Sequence, residues 1–81
     1  MLNDEEFLTA LENKLLEEVR ELRVGAENKQ EEIADIYEVL DAIIAARGFS
    51  REEIEVLQAK KRIERGGFEK RLFLEGVDPS A

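Results

Sequence analysis

Two short acidic stretches, Glu17-Glu18-Val19-Arg20-Glu21 and Glu32-Ile33-Ala34-Asp35, carry the interpretation of the whole chain. In each stretch two carboxylates stand three residues apart, a spacing that places both on one face of a helix. Apolar residues recur around them every three to four positions, as they do in amphipathic helices. The sequence therefore predicts two helices that each carry a pair of acids.

One acid of each pair falls inside the apolar stripe of its helix. The stripes comprise Phe7, Leu8, Leu11, Leu15, Val19 and Leu22 on the first helix, and Ile33, Ile36, Tyr37, Val39, Leu40, Ile43 and Ile44 on the second. At about 100° per residue, Glu18 and Glu32 project into these stripes, whereas Glu21 and Asp35 lie at their edges. If the helices pack on their stripes, four carboxylates converge in one place.

Carboxylates on such a seam are costly, because a buried, unpaired charge loses its hydration. We expect no Lys or Arg on either stripe near these acids, so a hard divalent cation is the simplest way to keep them ionised together. Mg²⁺ prefers oxygen ligands, and Mn²⁺ is a possible substitute. The alternative is that the acids only mark a solvent-exposed face, since 20 of the 81 residues are acidic.

The composition excludes several classes of site. The chain has no Cys and no His, which removes disulfides, thiolate metal sites and Ser-His catalysis. A net charge of −8 argues against binding to a nucleic-acid duplex. We expect no membrane contact, because no apolar run approaches the about 20 residues of a membrane span. The cytoplasm is the expected compartment.

Helix start and stop residues divide the chain into three helices within one small domain, residues 1–81. Asn3, with an acid three residues later, resembles a capping box, and Gly25 and Gly48 are expected helix ends. Ser50 opens the third helix with a second capping box. The predicted elements are helices over about 4–24, 28–47 and 51–65 and an extended arm over about 68–74.

The short, polar connection after Gly25 predicts that the first two helices form an antiparallel hairpin. The third helix is apolar on two sides, with Ile54 and Leu57 on one and Val56 and Ile63 on the other. These apolar surfaces exceed what a hairpin of this size covers. We therefore predict an all-α protein that assembles into a four-helix bundle as a homodimer or homotetramer.

Six basic residues gather near the end of the chain, around a double glycine. They are Lys60, Lys61, Arg62, Arg65, Lys70 and Arg71. Taken by position, they favour a solvated helix end whose cations suit the helix dipole. Beside a metal-binding carboxylate cluster, however, Lys61, Arg65 and Lys70 become candidate phosphate-binding residues.

Several motifs resemble the all-α nucleoside triphosphate pyrophosphatases, and above all small MazG-like, phosphoribosyl-ATP-pyrophosphohydrolase-like proteins. The similar stretches are the paired acid motifs, Leu-Leu-Glu-Glu-Val from Leu15, Ala-Asp-Ile-Tyr-Glu-Val from Ala34 and Glu-Arg-Gly-Gly-Phe-Glu-Lys-Arg from Glu64. The resemblance covers about residues 4–74.

This resemblance implies a Mg²⁺-dependent hydrolase that cleaves a nucleotide between its α and β phosphates and releases a monophosphate and pyrophosphate. It assigns the metal ligands as Glu18, Glu21, Glu32 and Asp35, and makes Glu17 an outer acid or the catalytic base that orients water. Two alternatives remain open. One is hydrolysis of phosphoribosyl-ATP, and the other is a catalytically silent helical module of the same fold that binds a protein partner.

Overall fold

The computed structural model describes residues 2–25 and 28–68, and these residues form three α-helices and no strand. The helices are α1 (Asp4–Val24), α2 (Lys29–Ala46) and α3 (Arg51–Arg65). The predicted all-α class is confirmed, and the predicted helix limits agree to within one residue. Among the residues that the structure covers, no helix has the length and apolar character that a membrane crossing requires.

The first helix begins with a complete capping box at Asn3. The Glu6 N–H donates to Asn3 Oδ1 over 2.8 Å, and the Asn3 N–H donates to Glu6 Oε1 over 3.0 Å. Two N–H groups that lack partners inside the helix are thereby satisfied. The acids of the first turn add a favourable interaction with the helix dipole.

Glycines end both hairpin helices, but for different reasons. The Gly25 N–H donates to the Glu21 carbonyl over 2.6 Å, and a Cβ at Gly25 would clash with that same oxygen. Gly48 instead adopts a left-handed backbone with φ 79°. Its N–H donates to Ala45, and the Phe49 N–H donates to Ile44, which together make a Schellman motif.

Contacts at both ends show that α1 and α2 are antiparallel. The Lys29 ammonium, at the start of α2, donates to the Leu22 carbonyl near the end of α1. At the opposite end, Arg47 pairs with Glu12 over 2.9 Å. The last turns of α1 therefore lie beside the first turn of α2, as the predicted hairpin requires.

The two helices pack along a narrow seam. Along each helix, the seam positions recur at alternating intervals of three and four residues. Its apolar members are Leu8, Leu11, Leu15 and Leu22 on α1 and Ile36, Val39 and Ile43 on α2. Two of its positions are occupied by Glu18 and Glu32. Within the described residues, only Val39 (9% exposed) and Glu18 (4% exposed) count as buried. The best-buried side chain of this seam is thus a carboxylate.

The seam covers only part of each predicted stripe. Five stripe residues remain between 38% and 55% exposed, namely Phe7, Val19, Ile33, Tyr37 and Leu40. One partner helix shields a strip narrower than the apolar face of an amphipathic helix, so the flank of each stripe stays in solvent. This agrees with the prediction that the apolar stripes exceed what one hairpin covers.

The chain divides into two compact units, Met1–Arg51 and Glu52–Ala81. In the first unit, Arg51 pairs with both oxygens of Asp41 at 3.0 and 3.1 Å, and its guanidinium lies 5.7 Å from the centre of the Tyr37 ring. These contacts fix the residue at which α3 begins against α2.

In the second unit, no residue of α3 is buried. Its large apolar side chains, Ile54, Val56, Leu57 and Ile63, are 36% to 86% exposed, and Gly66 ends the helix at φ 80°. The predicted arm over 68–74 lies outside the described residues, apart from the exposed Phe68.

The capping box at Asn3 makes a prediction about stability. Replacing Asn3 with Ala removes the side-chain acceptor of the Glu6 N–H and should lower the free energy of unfolding by about 1 kcal/mol. Asn28 is a matched control, because it occupies the same position before α2 but makes no capping hydrogen bond. Urea unfolding at equal protein concentration should show a smaller loss for Asn28→Ala, and equal losses would contradict the assignment.

Candidate metal centre

Three of the four predicted metal ligands meet at one end of the hairpin. Glu18 and Glu21 come from the last turns of α1, and Glu32 comes from the first turn of α2. Each offers one carboxylate oxygen, and these three oxygens lie within 4.8 Å of one another. The antiparallel turn is what brings acids from the two helices together. We call these three residues the carboxylate cluster.

The other two predicted acids occupy different surroundings. Asp35 lies outside this group of three and is exposed, one turn beyond Glu32, although its charge still acts on that residue. Glu17 is also exposed and projects away from the seam, with its side chain 56% accessible. In this structure Glu17 is therefore a peripheral acid.

Two oxygens of the carboxylate cluster are buried and have no partner. Glu18 Oε2 and Glu32 Oε2 are both shielded from solvent, and neither accepts a hydrogen bond from the protein. A buried acceptor without a donor is unfavourable, and it is more so when it carries charge. Hard carboxylate oxygens that converge in this way suit Mg²⁺ or Mn²⁺. The donor set therefore fits the predicted cation.

A lysine lies beside the cluster, contrary to expectation. Lys14, one turn before Glu18 on α1, places its ammonium 3.2 Å from Glu18 Oε1 and 3.6 Å from Glu17 Oε2. No Lys or Arg lies on the stripes themselves, but the expectation that these acids are not neutralised locally is wrong for Glu18, because Lys14 reaches it from the border of the stripe along the same helix. The i, i+4 spacing of Lys14 and Glu18 is a sequence signal that indicates this pair.

The electrostatics of the cluster follow from burial and crowding. Desolvation raises the pKa of Glu32 above its ordinary value of 4.5, and the charges of Glu21, Glu18 and Asp35 raise it further. The hydrogen bond to Glu18, followed by the charges of Glu17 and Glu18, raises the pKa of Lys14. The site therefore favours added positive charge, either as a proton on Glu32 or as a cation.

The predicted phosphate-binding residues belong to the other unit. Lys61 and Arg65 are exposed on α3, and Lys70 lies outside the described residues. A surface recess of the first unit is found near the start of α1 and the end of α2. Its lining is formed by Leu2, Glu5, Glu6, Leu8, Thr9, Ala10, Glu12, Asn13 and Arg47. It shares no residue with the carboxylate cluster.

Comparison with known proteins adds no assignment. No protein-family model, no curated protein and no solved structure matches this chain. The chemistry of the carboxylate cluster therefore has to be judged from its own geometry.

The raised pKa of Glu32 makes a prediction about pH. A raised pKa in the folded state stabilises the protein below the unfolded pKa, and this stabilisation is lost as the pH rises through the folded value. Without divalent ions, the Tm should therefore decline as the pH rises from about 4.5 toward neutrality. Glu32→Gln should weaken this decline and raise the Tm at pH 7.

Glu31→Gln is the matched control for this prediction. Both residues lie in the first turn of α2, so both substitutions remove the same favourable interaction with the helix dipole. Glu31 is exposed and outside the cluster. Thermal melts with a chelator present should separate the two variants, and an equal change in both would show that Glu32 is not under strain from burial and crowding.

Proposed function

We propose that this protein is a MazG-like, Mg²⁺-dependent nucleotide pyrophosphohydrolase that cleaves a nucleoside triphosphate between its α and β phosphates. The observation that carries the proposal is the pair of buried, unpartnered oxygens on Glu18 and Glu32, which belong to different helices. Acids that only mark a solvent-exposed face would not place unpartnered oxygens in a buried position between two helices. The resemblance of the acid motifs to the all-α pyrophosphatases supplies the reaction class.

The acids of the two motifs would have different roles. Glu18, Glu21 and Glu32 would hold Mg²⁺, with Asp35 adjoining them as the fourth acid of the motif. When bound, the ion would lower the pKa of water and neutralise phosphate charge. Glu17 is solvent-accessible beside Glu18, so its carboxylate would accept a hydrogen bond from an incoming water and orient it.

Basic side chains would complete the charge balance. A triphosphate brings about four negative charges to a cluster that is already acidic. Lys61 and Arg65 share one face of α3 because they are four residues apart, and both are exposed. We assign these two, together with Lys70, to the phosphates of the nucleotide.

The exposed flanks of the hairpin favour self-association. At about 100° per residue, Ile33, Tyr37 and Leu40 lie on one side of α2, and Val19 lies on the matching side of α1. In an antiparallel pair, flanks displaced in the same rotational sense face the same way, so these residues form one apolar surface. A second hairpin that packs on it would complete a four-helix bundle. A homodimer or homotetramer is therefore the proposed assembly.

Pyrophosphate release is the decisive test of the proposed function. The protein with Mg²⁺ should release pyrophosphate from at least one member of a nucleoside triphosphate panel. Glu18→Gln should lower kcat/KM about 100-fold or more, because it removes a charged ligand at the centre of the cluster. Glu38→Gln is the control, since Glu38 is an exposed acid of α2 outside the cluster.

The outcomes of this assay test the role of Glu18 and separate the proposed functions. Unchanged turnover in Glu18→Gln would remove Glu18 from the site. Preferential release from phosphoribosyl-ATP would select that narrower activity. Metal binding without turnover of any nucleotide would favour the silent interaction module.

The proposed assembly predicts a mass above that of one chain. Light scattering coupled to size-exclusion chromatography should give a dimer or tetramer of the 9.3 kDa chain. Leu40→Glu should shift the mass toward the monomer, because it places a charge on the exposed apolar flank. Asn13→Glu adds the same charge on an exposed position away from this flank and should leave the mass unchanged. A monomeric wild-type protein at micromolar concentration would contradict the assembly.

A further inference from the structure

The neutralisation of Glu18 by Lys14 is a feature that the proposed reaction does not use. The Lys14 ammonium takes Glu18 Oε1 at 3.2 Å, while Oε2 of the same carboxylate remains buried and unpartnered. The Glu18 side chain is only 5% exposed, whereas that of Lys14 is 50% exposed. A solvent-accessible cation is therefore attached to the most buried acid of the cluster.

We infer that Lys14 is an internal cation that competes with a divalent metal ion for Glu18 and thereby sets the affinity of the carboxylate cluster for metal. This inference rests on the proposed metal site, but it concerns a residue outside the proposed ligand set. In this role, Lys14 helps to determine the metal concentration at which the site becomes occupied.

Competition follows from the geometry of the carboxylate. A metal that used both oxygens of Glu18 would require Lys14 to leave Oε1. A metal that used Oε2 alone would lie close to the ammonium and be repelled by it, because the buried surroundings screen the two charges weakly. In either arrangement the positive charge of Lys14 weakens binding of the divalent ion.

Displacement of Lys14 is feasible because a second partner is at hand. Its ammonium already lies 3.6 Å from Glu17 Oε2, and the Glu17 side chain is exposed. Lys14 also precedes Glu18 in the chain, which is the weaker of the two orientations for an i, i+4 ion pair on a helix. The lysine can therefore move from Glu18 to Glu17 without losing all of its ionic contacts.

A purely structural ion pair would behave differently. If Lys14 only offsets the burial of Glu18, its removal should lower the Tm of the metal-free protein and leave the intrinsic metal affinity unchanged. If Lys14 competes with the metal, its removal should tighten metal binding. The direction of the change in Kd therefore separates the two roles.

Calorimetric titration with Mn²⁺ tests the inference on the full chain. Lys14→Gln should lower the Kd for Mn²⁺ about three- to tenfold relative to wild type, as expected for removing one unit charge a few ångströms away. Arg20→Gln is the matched control, because it deletes the same charge from α1 at an exposed position on the opposite face. The control should change the Kd less than twofold by loss of net positive charge alone.

The outcomes distinguish the inference from the proposed function. If wild type binds Mn²⁺ and Lys14→Gln binds with the same or weaker affinity, the competition is wrong and the metal site stands. Binding by Lys14→Gln but not by wild type would support a strong competition. If neither protein binds Mn²⁺ at millimolar concentration, both the metal site and the inference are overturned.

A measurement on wild type covers the case in which Lys14→Gln does not fold. In NMR spectra of the lysine ε-methylene groups, saturation with Mg²⁺ should move the Lys14 resonance, either because the ammonium leaves Glu18 Oε1 or because the bound ion lies close to it. Lys60 lies on α3 and has no part in the cluster, so its resonance should not move. Mg²⁺ binding that leaves the Lys14 resonance in place would overturn the inference.

Discussion

The burial of the Glu18 carboxylate between two helices is the constraint on which the rest of this structure depends. Of the described residues, Glu18 is the best buried, more so than Val39, the only apolar side chain classed as buried. A leucine at this position of the seam would stabilise the hairpin. The position is occupied instead by a charged side chain, whose burial must be compensated. Compensation comes in part from Lys14, which engages one of the two oxygens.

These buried acids make the seam less stable than an entirely apolar seam would be. Glu18 and Glu32 interrupt the apolar ladder at the loop end of the hairpin, where an antiparallel turn places them opposite each other. Because the buried core between the two helices is so small, their packing stabilises the hairpin only slightly. The apolar flanks at Ile33 and Leu40 remain exposed. The proposed bundle would supply the missing burial, and the proposed cation would supply the missing positive charge. Metal binding and self-association would then stabilise the same fold.

The helices and their limits could be predicted almost completely from the sequence, since each limit depends on nearby residues. The capping pair of Asn3 and Glu6 acts over three positions, and Gly48 ends α2 because its left-handed backbone suits glycine. The candidate ligands were also predictable, because a helix has a fixed angular period and that period places Glu18 and Glu32 on the apolar stripes. Local chemistry is sufficient for all of these features.

Other features depend on how the helices meet. The width of the two-helix contact determines which residues of each stripe are covered, and it leaves Tyr37 and Val19 exposed although the pattern groups them with the seam residues in one apolar stripe. The separation of Asp35 from the three converging acids likewise depends on the register between α1 and α2. Lys14 lies at the border of the stripe, and only the packed hairpin shows its ammonium against a buried carboxylate. Periodicity along one helix determines which residues share a face, whereas register and burial between helices determine which charges meet there.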